Sequence, residues 1–242
     1  MDTLHEYLRY THIVGGFIGL ALYWVPIFSK KGGPLHKKTG KIWKWLARVV
    51  LASAFIGVLL YIPQLLGAGK TPFSHPNSYA FIMFLGYLAV VTYVVTVYAV
   101  AVLKHKNEVS NLGTPLMKSL AYLCILLSVW IVFFALAYSP DTKIVLLALS
   151  PVGFSTGWGM LQYMNGKQTS KRAWLYEHLT SMVGAGIAFH TAFAVFGLTR
   201  MFDIGLTGPL AVIPWVLPAA IGIPGSIIWK RHYQKKFNEI PA

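Results

Sequence analysis

Seven apolar stretches, each about long enough to cross a bilayer, fill this chain and leave only short loops between them. They run over residues 10–29, 43–66, 78–103, 116–138, 144–164, 175–198 and 209–229. Hydrocarbon offers no partner to a backbone N–H or C=O, so a lipid-spanning stretch must pair those groups within itself. Such stretches are read as helices, because the short alternating segments of a closed barrel are missing. The expected fold is therefore all-α, a single domain over residues 1–242 forming an integral membrane bundle of seven transmembrane helices. Connections of about five to thirteen residues set successive helices side by side and antiparallel. The first stretch follows Asp2 and Glu6 rather than a basic segment, and no small-residue cleavage signal follows it. It is read as a retained helix and not as a signal peptide.

Composition agrees. Of 242 residues, 56% are hydrophobic and 12% charged, whereas a soluble domain keeps roughly a quarter of its residues charged. The net charge of +14 would suggest nucleic acid in a soluble protein. Here the basic residues sit in short loops beside apolar spans, so the partner they imply is the lipid bilayer, with no nucleic acid. The single cysteine, Cys124, excludes an intrachain disulfide and a cysteine-cluster metal site.

Loop charge also orients the chain. Lys30, Lys31, Lys37, Lys38, Lys41, Lys44, Arg48, Lys104, Lys106, Lys118, Lys167, Lys171, Arg172, Lys230, Arg231, Lys235 and Lys236 fall on one side. Only Arg9, Lys70, Lys143 and Arg200 fall on the other. Seventeen against four places the first side in the cytoplasm. The N-terminus then lies outside and the C-terminus in the cytoplasm, as in a bacterial cytoplasmic (inner) membrane.

Function has to be sought in the few polar side chains within the spans. In the first span His12, Gly15, Gly16 and Gly19 share one helical face, with Gly15 and Gly19 as a small-residue contact surface. His12 should then point at another helix. The sixth span carries Glu177, with Ser181, Gly184, Ala188 and Thr191 within about 40° of it on a helical wheel. His178 and His190 leave that stripe in different directions. Counted along the helices, His12 and His190 belong to the outer half of the membrane. His36, Arg48, Glu177 and His178 belong to the cytoplasmic boundary.

Ionisable groups in a bilayer are costly unless paired, so each is a site candidate. Neutral imidazole is the commonest transition-metal ligand, which makes haem b or a transition metal the expected cofactor, serving electron transfer. His12 and His190 are the candidate outer ligands, and His36 and His178 the inner ones. His178 and His190 lie about 18 Å apart along one helix, a separation that suits two centres. Glu177 and Arg48 would tune charge or pair with a haem propionate, while in the structural alternative Glu177 pairs with Arg48 or with Lys171 and Arg172. The bland alternative is an imidazole hydrogen-bonded between helices and a boundary ion pair. A zinc hydrolase would need three protein ligands, and no HExxH or HxxxH run supplies them.

The last span holds Pro209, Pro214, Pro218 and Pro224 with Gly205, Gly208, Gly222 and Gly225 nearby. Interior prolines kink a helix, and broken helices line some transport sites. A small-solute or proton-coupled transporter using Glu177 is thus a second expectation. A third is a non-catalytic subunit or assembly factor, with another membrane subunit or a redox partner beside it. Its lateral contact would use small-residue faces such as Pro151, Gly153, Ser155, Thr156 and Gly157.

The run HIVGGFIGLALYWVPIFSKKGGPLHKKTGKIW over residues 12–43 carries His12, Lys31, Gly32, His36, Lys37 and Gly40. The run KRAWLYEHLTSMVGAGIAFHTAF over residues 171–193 carries a basic-Trp pair, Glu177 and His178. Together they resemble an uncharacterised family of predicted bacterial multi-pass membrane proteins. Its markers are an opening-His helix, a Lys-Gly loop with a His-basic-x-x-Gly motif, and a later Glu-His helix. The resemblance implies an inner-membrane protein whose motif histidines matter, and it brings no activity.

Overall fold

The computed structural model describes residues 2–166, 170–203 and 212–240, without the side chains of Asp2 and Arg200. Lys167, Gly205, Gly208, Pro209 and the first residues expected of the seventh span lie outside the described residues. Seven helical segments are long and apolar enough to cross a membrane, and no strand occurs among the described residues.

Helix α1 spans Asp2–Phe28, α2 Pro34–Gly67, α3 Pro76–Lys104 and α4 Pro115–Tyr138. The fifth segment is divided into α5 (Lys143–Leu149) and α6 (Pro151–Met164). The sixth is α7 (Ala173–Ala192), continued by a π-helical turn at Phe193–Leu198 and a single turn, α8 (Thr199–Met201). The seventh is α9 (Ile213–Lys236). Proline opens α2, α3, α4, α6 and α9 at the first positions, where its missing N–H has no helical partner to lose. At α4 the cap is completed by Thr114, whose hydroxyl accepts from the N–H of Met117 at 3.2 Å.

The helices overrun the expected spans. Residues 34–42, read from sequence as loop, form the first turns of α2, which at 34 residues extends about 51 Å. Hydrocarbon about 30 Å thick leaves several basic turns outside it. Hydropathy marks where lipid starts, not where helix starts; Pro34 carried the missing signal. By the same logic α1 begins at Asp2, and the basic run from Lys230 to Lys236 is the end of α9.

Helix α3 is the centre of the bundle, packed against α2, α4 and α7. Its buried residues Tyr87, Val91, Val94, Tyr98 and Val102 join Cys124, Ile131 and Phe134 of α4 and Met160 of α6 in the main core. A smaller core of Tyr23, Trp43, Ala47, Val50, Ala185 and Phe189 ties α1 to α2 and α7. Helix α9 packs on α7 and buries no residue fully. Pro218 and Pro224 lie inside α9, which is nonetheless one continuous helix.

Two close approaches fix this arrangement. On α6, a Cβ at Gly153 would stand 2.6 Å from Ser128 Oγ and 2.9 Å from the Cys124 carbonyl oxygen, and one at Gly157 would overlap the Ala121 carbonyl. The small-residue face expected of the fifth span is therefore its contact with α4. Where Pro151 interrupts that span, Tyr87 fills in: its hydroxyl donates to the Ser150 carbonyl (2.9 Å) and accepts from the Gly153 N–H (2.7 Å). A buried break in a helix is stable only when its backbone groups find such partners.

After α9 the chain folds back onto the start of α7. The Tyr176 hydroxyl donates to Glu239 at 2.5 Å, Arg172 stands 3.7 Å from the same carboxylate, and its guanidinium lies 4.2 Å from the Phe237 ring centre. Donation from Tyr176 holds the Glu239 carboxyl below the usual carboxylate range. A group held low in the folded state stabilises it above the ordinary value and stops doing so as pH falls through the lowered one. Acidification into that window should therefore free residues 237–240, and Glu239→Gln should free them at neutral pH. Amide exchange at these residues measures both; unchanged protection in the variant would show that the carboxylate does not hold the segment.

Candidate functional site

The turn between α1 and α2 builds the site. Gly32 takes φ +72°, a left-handed conformation open to glycine, and the Gly33 N–H closes onto the Lys30 carbonyl at 3.0 Å. The chain reverses so that Lys31 and His36 both reach the end of α1. His36 Nδ1 lies 3.0 Å from the Pro26 carbonyl, and Lys31 Nζ donates to the same carbonyl at 2.9 Å and to that of Ile27. These are last-turn carbonyls with no helical donor left to them, so cationic and N–H donors are favoured there. Burial holds the Lys31 ammonium below the ordinary lysine value, and it lies 4.7 Å from the Trp229 ring centre of α9.

His178, on the second turn of α7, places Nδ1 2.9 Å from the Ala99 carbonyl near the end of α3. His36 and Lys31 lie within electrostatic reach of it. Next to it Glu177 accepts from the Tyr98 hydroxyl at 2.9 Å, with Lys230 within electrostatic reach. The start of α2, the ends of α1, α3 and α9 and the start of α7 thus meet at the end of the bundle that carries the basic residues.

The other two histidines stand apart. His12 Nδ1 lies 3.0 Å from the Val50 carbonyl and 3.3 Å from Ser53 Oγ, between α1 and α2. It points at a neighbouring helix, as the face shared with Gly15 and Gly19 implied. His190 Nδ1 lies 2.7 Å from the Gly186 carbonyl of its own helix, and its ring packs on Tyr23 and Trp24 at 5.5 and 5.3 Å. His190 thus packs on α1 at Tyr23 and Trp24, about three turns along that helix from His12, so the two form no outer pair. Depth counted along the sequence assumes helices that start level, and α1 begins about two turns before its apolar run.

A carbonyl oxygen only accepts, so Nδ1 carries the proton in each of the four rings. In the neutral state Nε2 then presents its lone pair, the tautomer used when a histidine ligates a metal through Nε2. Yet among the described residues no group of three or more His, Cys, Asp or Glu side chains stands where it could hold one metal ion. The four histidines make one near pair, His36 and His178, and two isolated rings.

Arg48 does not meet Glu177. Among the described residues the ion pairs are Arg9–Glu6 and Arg172–Glu239. Arg48 instead stands with Lys41, Lys44 and Lys104, all within reach of Lys44. Tyr98 and Trp229 were not anticipated from sequence, and Lys31 stood out only through the Lys-Gly marker of the resemblance. For Tyr98 a signal existed, since a tyrosine deep in an apolar span needs a partner for its hydroxyl. The contacts of Lys31 and Trp229 gave none, because they depend on a loop reversal and on how α9 docks.

Compared with family models, with curated proteins and with solved structures, the chain matches none. Its class rests on its own helices, seven of which are long and apolar enough to span a membrane.

Proposed function

We propose that this chain is a multi-pass protein of a bacterial cytoplasmic membrane, with its N-terminus outside and its C-terminus inside. In this reading it holds haem b between His36 and His178 for electron transfer. One observation carries it: two imidazoles from different helices reach one end of the bundle with Nδ1 pinned, so both Nε2 atoms are left to ligate. Two histidines, His36 and His178, would suit a haem iron better than a protein-only zinc site, which takes three or four protein ligands. Bound there, haem supplies a one-electron redox couple. The residues of this chain do the rest. The Pro26 and Ala99 carbonyls orient the two rings, and Lys31 and Lys230 offer positive charge near the site. Trp229 sets its ring 4.7 Å from Lys31 Nζ at the same end of the bundle. Protein purified from haem-supplied cells should show a Soret band at about one haem per chain; a colourless protein after that supply ends the reading.

A second reading, a proton-coupled transporter, is favoured by Glu177. Its part-buried carboxylate faces Tyr98, on a helix that continues into the π-helical turn Phe193–Leu198, a distortion frequent at functional sites. Under it, Glu177→Gln should abolish proton-driven uptake in proteoliposomes while the protein still folds. Uptake equal to that of the unaltered protein would remove Glu177 from any such role.

A further inference from the structure

A basic group on α2 and α3 lies outside the histidine site. Lys41, Lys44 and Arg48 follow at helical spacing on one face of α2, away from the buried Trp43, Ala47 and Val50. Lys104, the last residue of α3, comes within electrostatic reach of Lys44. Four cations therefore gather where α2 packs on α3, and none is in an ion pair among the described residues. Like charges at this spacing repel one another, and Trp45 eases this in part. Its ring centre is 4.9 Å from the Arg48 guanidinium and 5.2 Å from Lys44 Nζ.

Along α2 Arg48 stands furthest into the apolar span, and its Nε is buried with no hydrogen-bond partner among the described residues. A buried N–H of a charged group left unpaired is costly, the more so near hydrocarbon. An acceptor that also carries negative charge would satisfy the atom and relieve the cluster together. Around it Ile42, Trp45 and Val49 are exposed, an apolar and aromatic surround of the kind found at the headgroup level of a bilayer.

We propose that this α2–α3 face binds the headgroup phosphate of an anionic phospholipid, with Arg48 and Lys44 as its principal donors. Basic pockets between helices at the cytoplasmic surface suit such headgroups. The charge asks for a phosphate, and the exposed apolar rim asks for one attached to acyl chains. The site is separate from His36 and His178 and stands whether or not those bind haem.

The test titrates delipidated protein in detergent with phosphatidylglycerol or phosphatidylcholine and counts bound lipid by native mass spectrometry. Phosphatidylglycerol should bind preferentially, and millimolar inorganic phosphate should not displace it. Arg48→Gln and Lys44→Gln should each weaken binding by about tenfold, while Lys235→Gln, on the exposed end of α9, should leave it unchanged. If Arg48→Gln does not fold, Lys44→Gln decides. Equal binding of the two lipids, equal affinity in the folded variants, or displacement by inorganic phosphate would each overturn the proposal.

Discussion

Gly157→Leu should keep α6 from docking on α4 and leave little protein that survives purification in detergent. The space for a side chain at this position is already occupied by the Ala121 carbonyl, with Ile125 Cγ1 2.8 Å from where a Cβ would stand. A flexible neighbour could turn away; a helical carbonyl cannot move without moving its helix. Overpacking in a core costs about 1–3 kcal/mol, and a backbone obstacle puts this case at or above the top of that range. The strain would spread, since the same interface holds Gly153 against Ser128 and the Tyr87 hydroxyl that spans the break at Pro151. Gly159→Ala is the control. On the same helix nothing lies within 4 Å of its Cβ position, and alanine is favoured over glycine in a helix by about 0.5–1 kcal/mol. Thermal unfolding followed by loss of monodisperse protein compares the two. A Gly157→Leu protein as stable as the unaltered one would contradict the helix contact described here.

What sequence made legible follows from what a bilayer enforces. The apolar spans had to be helices, and seven helices of that kind are present. The small faces at Gly15 and Gly19 and at Gly153 and Gly157 had to meet other helices. Gly15 faces Leu46 and Val50 of α2, and Gly153 and Gly157 face α4. Helix ends were less legible, because no hydrophobic signal distinguishes a basic helical turn from a basic loop, so His36, which hydropathy reads as loop, is instead in the first turn of α2. The candidate site was half legible. Residue type and rough depth singled out His36, His178 and Glu177. Which partners they take depends on helix start, tilt and rotation, so Glu177 meets Tyr98 instead of Arg48, and His190 meets Tyr23 and Trp24 instead of His12.

The isolation of His12 and His190 makes the histidine proposal selective. Each ring already has a carbonyl partner at Nδ1, so replacing it loses that hydrogen bond, about 0.5–1.5 kcal/mol, and for His190 the ring contacts with Tyr23 and Trp24, but removes neither His36 nor His178. His36 and His178 would hold the haem between them, and loss of either cannot be made good by a third histidine, since none joins them among the described residues. Loss of either should change the centre completely and not by degrees.

The most direct measurement is the absorbance and low-temperature electron paramagnetic resonance of haem-supplied protein carrying single alanine substitutions. His36→Ala and His178→Ala should each abolish the low-spin bis-imidazole signal, while His12→Ala and His190→Ala should keep it at full stoichiometry. A signal that survives loss of His36 or His178, or that depends on His12 or His190 instead, would contradict the account.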